Sequence, residues 1–87
     1  MSQLTAADIK VGRVYSARRP QRVGMFPSLL NDRQVLWIGA LGTELQYDSP
    51  TVAIGRRQPK VSVEAFLRWA REDVTDKCPK DAWRAAP

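Results

Sequence analysis

Gln34-Val35-Leu36-Trp37-Ile38-Gly39-Ala40-Leu41, then Gly42-Thr43, then Glu44-Leu45-Gln46-Tyr47-Asp48, is the stretch on which the fold turns. The first eight residues are apolar on both alternating parities, the pattern of a strand covered at least in part on both faces. Gly42-Thr43 is a turn signal. The last five residues alternate, with Leu45 and Tyr47 on one side and Glu44, Gln46 and Asp48 on the other, as a half-buried strand does. Together they predict an antiparallel hairpin.

Working outward toward the C-terminus, Ser49-Pro50 ends the hairpin and Thr51-Val52-Ala53-Ile54 reads as a short further strand closed by Gly55. Arg56-Arg57-Gln58-Pro59-Lys60 is polar, basic and interrupted by proline, hence a loop. Ser62 is placed as a helix N-cap, since its hydroxyl can accept a bond from a first-turn N–H. Val61 and Phe66 are spaced as a hydrophobic staple. Val63, Phe66, Leu67, Ala70 and Val74 recur at helical spacing, which predicts an amphipathic helix over about 63–74. Glu64 and Arg68 stand four apart and can pair on its outer face. The remaining tail, 75–87, holds Pro79, from which one helical turn can start, and Trp83, which can anchor it.

Toward the N-terminus, Ile9 to Ala17 alternates as a strand, with Gly12 where a bulge would flip the register. Residues 18–33 carry two prolines and one glycine and read as a long loop. The loop opens with Arg18, Arg19 and Arg22 and then carries Met25, Phe26, Leu29 and Leu30. Its apolar residues either fold back into the core or form an exposed tip that meets a partner.

Strand, long loop, hairpin, short strand and helix give an α+β, mostly-β fold. The chain has 87 residues, enough for a single domain, 1–74, followed by the tail. A small SH3-like antiparallel sheet or partial barrel, covered by one C-terminal amphipathic helix, fits this order best. An OB-like barrel needs more strand residues than are present. Ile9-Lys10-Val11-Gly12-Arg13-Val14-Tyr15, Val35-Leu36-Trp37-Ile38, Tyr47 and Val61-Ser62-Val63-Glu64-Ala65-Phe66-Leu67-Arg68-Trp69-Ala70 carry a resemblance over about residues 9–72. The chain resembles small uncharacterised proteins of bacteriophages and mobile elements, in which an SH3-like sheet ends in a V-S-x-E-x-F-x-x-W helix. The loop at 18–33 is longer than the link in those proteins. The resemblance implies the fold and a mobile-element setting and assigns no functional residue.

Composition narrows the chemistry. There is no histidine, so the side chain best suited to proton transfer near neutrality is missing, and with it the commonest metal ligand. The single Cys78 cannot form an intrachain disulfide, which suits a reducing cytoplasm. No phosphate-cradling glycine loop, metal-ligand cluster or nucleophile elbow occurs, so the expectation is a non-enzymatic protein without metal or cofactor. The stretch Met1–Asp8 lacks a basic start followed by an apolar core, and no apolar run approaches the ~20 residues of a membrane helix. The reading is therefore a cytoplasmic protein with no membrane contact.

Charge suggests the partner. The net charge is +5, and all of the excess lies before Val61, where nine basic residues face four acidic ones. Ten of the fourteen basic residues are arginines, which make forked contacts to phosphate. Arg18, Arg19, Arg22, Arg56, Arg57 and Lys60 are the candidate phosphate ligands for nucleic acid. Tyr15, Phe26 or Trp37 would stack on bases if exposed. The alternative is a protein-interaction module that receives an acidic or apolar segment of a host protein at Met25, Phe26, Leu29 and Leu30, or at a sheet edge.

Overall fold

The computed structural model describes residues 3–25, 27–52, 55–80 and 82–87. After a 3₁₀ turn at Ala6–Asp8, the strands in chain order are β1 (Val14–Ala17), β2 (Arg22–Val23), β3 (Leu29–Leu30), β4 (Arg33–Ile38), β5 (Glu44–Asp48) and β6 (Lys60–Ser62). Helix α1 (Val63–Trp69), strand β7 (Ala70–Asp73) and a 3₁₀ turn at Thr75–Lys77 complete the chain. Five strands form one antiparallel sheet in the order β6-β5-β4-β1-β7, and β2 and β3 form a separate ribbon. The sequential strands make a meander, and the last strand returns beside the first. This is an open antiparallel sheet, not a closed barrel, and the fold is α+β and mostly β.

The hairpin forms where the sequence places it. Val35 opposes Tyr47 and Ile38 opposes Leu45, so the apolar parity of β5 meets that of β4. The register shifts between Val35 and Trp37, leaving Leu36 as an extra residue. This bulge explains why β4 is apolar on both parities: Val35 faces the core, while Leu36 and Trp37 are exposed.

Helix α1 lies on the core face. Ser62 caps it by accepting the Ala65 N–H at 3.0 Å, and Arg68 pairs with Glu64 at 3.1 Å, as expected. Phe66 is fully buried. It packs edge-on to Tyr15 at 5.6 Å between ring centres, with Tyr47 at 6.3 Å and Trp69 at 5.2 Å. Edge-to-face and tilted pairs of this kind are the favoured aromatic arrangements.

Several local expectations are corrected. The helix stops at Trp69 instead of continuing to residue 74, and Ala70–Asp73 pairs with β1. The reason lies outside the helix. The Arg18 N–H takes the Trp69 carbonyl at 2.9 Å, and the Arg18 guanidinium donates to the carbonyls of Ala70 at 3.0 Å and Leu67 at 3.3 Å. The carbonyls at this helix end are thus held from β1. Val74 is still buried, with its N–H on the Val14 carbonyl.

Strand β1 begins only at Val14. Gly12, at φ +88°, sits in a turn closed by Arg13 N–H on the Lys10 carbonyl. Within 18–33 the chain forms the β2–β3 ribbon rather than an irregular loop throughout. Thr51 and Val52 lie in a turn, not a strand, while Ala53 and Ile54 fall outside the described residues. The strand of this region is Lys60–Ser62, which pairs with β5.

The end of the tail is fastened to the ribbon and to Asp32. Leu30 N–H bonds the Arg84 carbonyl at 3.0 Å and Ala86 N–H bonds the Ser28 carbonyl at 2.9 Å, so the tail extends the β2–β3 ribbon. Arg84 grips Asp32 with two bonds, at 2.7 and 2.9 Å, and Asp32 is only 1% exposed. A forked pair of this kind is the strong form of an ion pair.

Candidate nucleic-acid interface

The antiparallel order sends two loops out of one end of the sheet. Ala17 ends β1, Arg33 begins β4, Asp48 ends β5 and Lys60 begins β6, and all four lie at that end. The segments 18–32 and 49–59 therefore share it. Arg18, Arg19 and Arg22 lie on the first and Arg56 and Arg57 on the second, with Lys60 directly after it. Two clusters more than thirty residues apart in sequence are joined by topology. From β1 to β6 is three strand spacings, about 14 Å.

The six residues are not equivalent. Arg18 is committed to the carbonyls at the end of α1 and does a structural job. Arg19, Arg22, Arg56 and Arg57 are exposed and make no ion pair among the described residues. Lys60 is exposed, with its Nζ 5.2 Å from the centre of the Trp37 ring. Trp37, Gln46 and Lys60 oppose one another across β4, β5 and β6 on the outer sheet face. Trp37 is 42% exposed, so its ring is accessible.

Between the two loops runs a groove of about 500 Å³. Val23, Pro27 and Leu29 line it from one loop, and Pro50 and Arg56 from the other, with Trp83 of the tail between them. A second groove, of about 520 Å³, lies between the outer sheet face and the tail.

Other candidates separate sharply. Tyr15 is fully buried, its hydroxyl donating to the Asp8 carbonyl at 2.7 Å and accepting from Lys10 N–H at 2.9 Å, so it cannot stack on a base. Phe26 lies outside the described residues. Met25 is 77% exposed, whereas Leu29 and Leu30 are half-buried in the ribbon, so the apolar tip is divided between solvent and packing. Arg33, which the sequence did not single out, lies 4.3 Å from the Tyr47 ring centre and 4.1 Å from that of Trp69. Burial pulls its guanidinium below the ordinary value. Half-buried between these two rings, it stands apart from the exposed cations.

Cys78 is half-buried, its thiol donating to the Val74 carbonyl at 3.4 Å, and burial pushes the thiol up, which disfavours the thiolate. Among the described residues no three His, Cys, Asp or Glu side chains gather as a metal site, and no helix is long and apolar enough to cross a membrane. The sequence reading missed Asp48 and Trp83 as groove residues. Trp83 carried one signal, an aromatic side chain in an otherwise polar tail. In comparisons with known proteins, no family model, curated protein or solved structure matches this chain.

Proposed function

We propose that this chain is a non-enzymatic, cytoplasmic binding domain that holds the phosphate backbone of a nucleic acid at the loop end of its sheet. The observation that carries this reading is the convergence of Arg19, Arg22, Arg56, Arg57 and Lys60 on one end, none of them in an ion pair among the described residues. Elsewhere, Arg13, Arg68, Lys77 and Arg84 each pair with a carboxylate, while Lys10, Arg71 and Lys80 are exposed and make no ion pair among the described residues. The larger share of the exposed, unpaired cations therefore lies where the loops are, and such a concentration attracts polyanions. Trp37 beside Lys60 supplies an accessible ring.

The test is an amide-shift titration of labelled protein with short oligonucleotides at low and then moderate salt. The expected result is shifts concentrated at Arg19–Arg22 and Arg56–Lys60 that fade with salt. If all five cations engage a single strand, log K falls against log salt with a slope of about −3.5. Absence of shifts at low salt overturns the reading. The second reading, a protein-interaction module, is favoured by one observation: Met25 is largely exposed at the tip of the ribbon. Shifts at Met25 on adding acidic peptides, with none on adding oligonucleotides, would establish it instead.

A further inference from the structure

The inter-loop groove holds more than a basic rim. Asp48 and Trp83 line both this groove and the one under the tail, so they form the ridge between the two. Asp48 Oδ1 accepts the Ser49 N–H at 2.9 Å, and its second carboxylate oxygen takes no bond from the described residues. Ser49 itself is buried, and its hydroxyl accepts from Thr51 N–H at 3.3 Å and from the Thr51 hydroxyl at 3.1 Å. Arg56 stands at the rim with Arg57 next to it.

A carboxylate in a groove meant only for phosphate would repel its ligand. Beside Arg56 and Trp83, it suits a ligand with three properties at once: an anion, an aromatic face and a hydrogen-bond donor edge. A nucleotide has all three. In a duplex the ring faces are covered by neighbouring base pairs, so no face can lie on Trp83. In a single strand they are open, and stacking on an aromatic side chain is a common way to hold them. The donor edge selects further, because a carboxylate accepts from the cytosine amino group, whereas thymine presents a carbonyl there.

We propose that the groove takes one unpaired, amino-bearing nucleobase of a single strand, its ring on Trp83 and its amino group on Asp48, with flanking phosphates at Arg56 and Arg57. The inference rests on the phosphate-binding reading above and adds the ligand class to it. The experiment measures, by fluorescence anisotropy at low and then moderate salt, the affinities for labelled oligo-dC, oligo-dT and a duplex of equal length. The expected order is oligo-dC above oligo-dT above the duplex, each step about five- to tenfold, the first from the added hydrogen bond and the second from one stacked base.

Asp48→Asn, whose side-chain oxygen can still accept from Ser49, should erase the preference for oligo-dC over oligo-dT. Trp83→Ala should erase the preference of the single strand over the duplex, with its thermal melt recorded to show that it is folded. Should Trp83→Ala fail to fold, Asp48→Asn decides alone through the oligo-dC to oligo-dT ratio. Equal affinity for all three ligands, all weakened by salt, overturns the base site and leaves the phosphate reading standing. A preference that survives Asp48→Asn also overturns the base site. No binding of any ligand overturns both.

Discussion

Replacing Arg84 with alanine should strand a buried carboxylate and cost the fold several kcal/mol, about 3–5 for a broken buried pair. Asp32 is 1% exposed and takes both of its side-chain bonds from Arg84, at 2.7 and 2.9 Å. Removing one partner of a buried pair costs about 3–5 kcal/mol, because the remaining charge is left without compensation. The Arg84 side chain is 21% exposed, so water reaches its side of the pair, which places the loss near the lower end, about 3 kcal/mol. A domain of this size holds about 5–10 kcal/mol in total, so much of the stability goes. In a thermal melt followed by circular dichroism, the expected drop is about 12–24 °C, from about 4–8 °C per kcal/mol.

The double variant Asp32→Asn with Arg84→Ala should recover part of the loss, since an amide is not a buried charge. A melt of Arg84→Ala within about 4 °C of the parent would refute the argument, because it would put the cost under about 1 kcal/mol. A double variant no better than the single one would show that the loss is packing and not the stranded carboxylate.

Other perturbations follow from single contacts. Ser62→Ala removes the bond to Ala65 N–H and should cost about 1 kcal/mol in urea denaturation; no loss would mean the cap contributes nothing. Gly12→Ala places a side chain at φ +88°, where no neighbour stands within 4 Å, so the cost is backbone strain alone, about 1–2 kcal/mol; a neutral result would show that the turn relaxes.

Burial raises the Asp73 carboxyl, but bonds from Arg13 Nε at 2.8 Å and from Thr75 at 2.9 and 2.6 Å outweigh it and hold it below the ordinary value. A carboxyl lowered on folding stabilises above its unfolded value of about 3.9, and that contribution is lost as pH falls through the folded value. Asp73→Asn should therefore flatten the acid limb of the stability curve below about pH 4, and an unchanged limb would remove Asp73 as its source. Replacing Arg56 and Arg57 together with alanine should weaken oligonucleotide binding and lower the salt slope by about 1.4 for a single strand. An unaltered slope would place the phosphates elsewhere.

Features that depend on near neighbours in sequence were legible before folding. The hairpin of Gln34–Asp48 was readable because alternation over adjacent residues sets which side chains share a face. The N-cap at Ser62 and the Glu64–Arg68 pair were readable because both act within one helical turn. The helix end was not. Ala70 and Val74 continue the helical stripe, yet also suit a strand whose carbonyl partners come from β1. The Arg18–Ala70 bond that decides between these spans 52 positions. Likewise, Lys60–Ser62 is too short and polar to be recognised as a strand until β5 offers an edge to pair with.

For the candidate site, composition alone identified the arginines and their excess over acids. It could not tell that Arg18 is committed to a helix end while Arg19, Arg22, Arg56 and Arg57 remain unpaired among the described residues. The sequence by itself determined the antiparallel hairpin, the helix start and the sign of the surface charge, because each follows from spacing or from counting. Tertiary structure alone decided that 18–32 and 49–59 leave the same end of the sheet, that Arg84 locks onto Asp32, and that Trp83 reaches the groove between the loops. Each of these joins segments separated by tens of residues, and such contacts depend on which strands pair, a choice made by burial of the whole core and not by any local pattern.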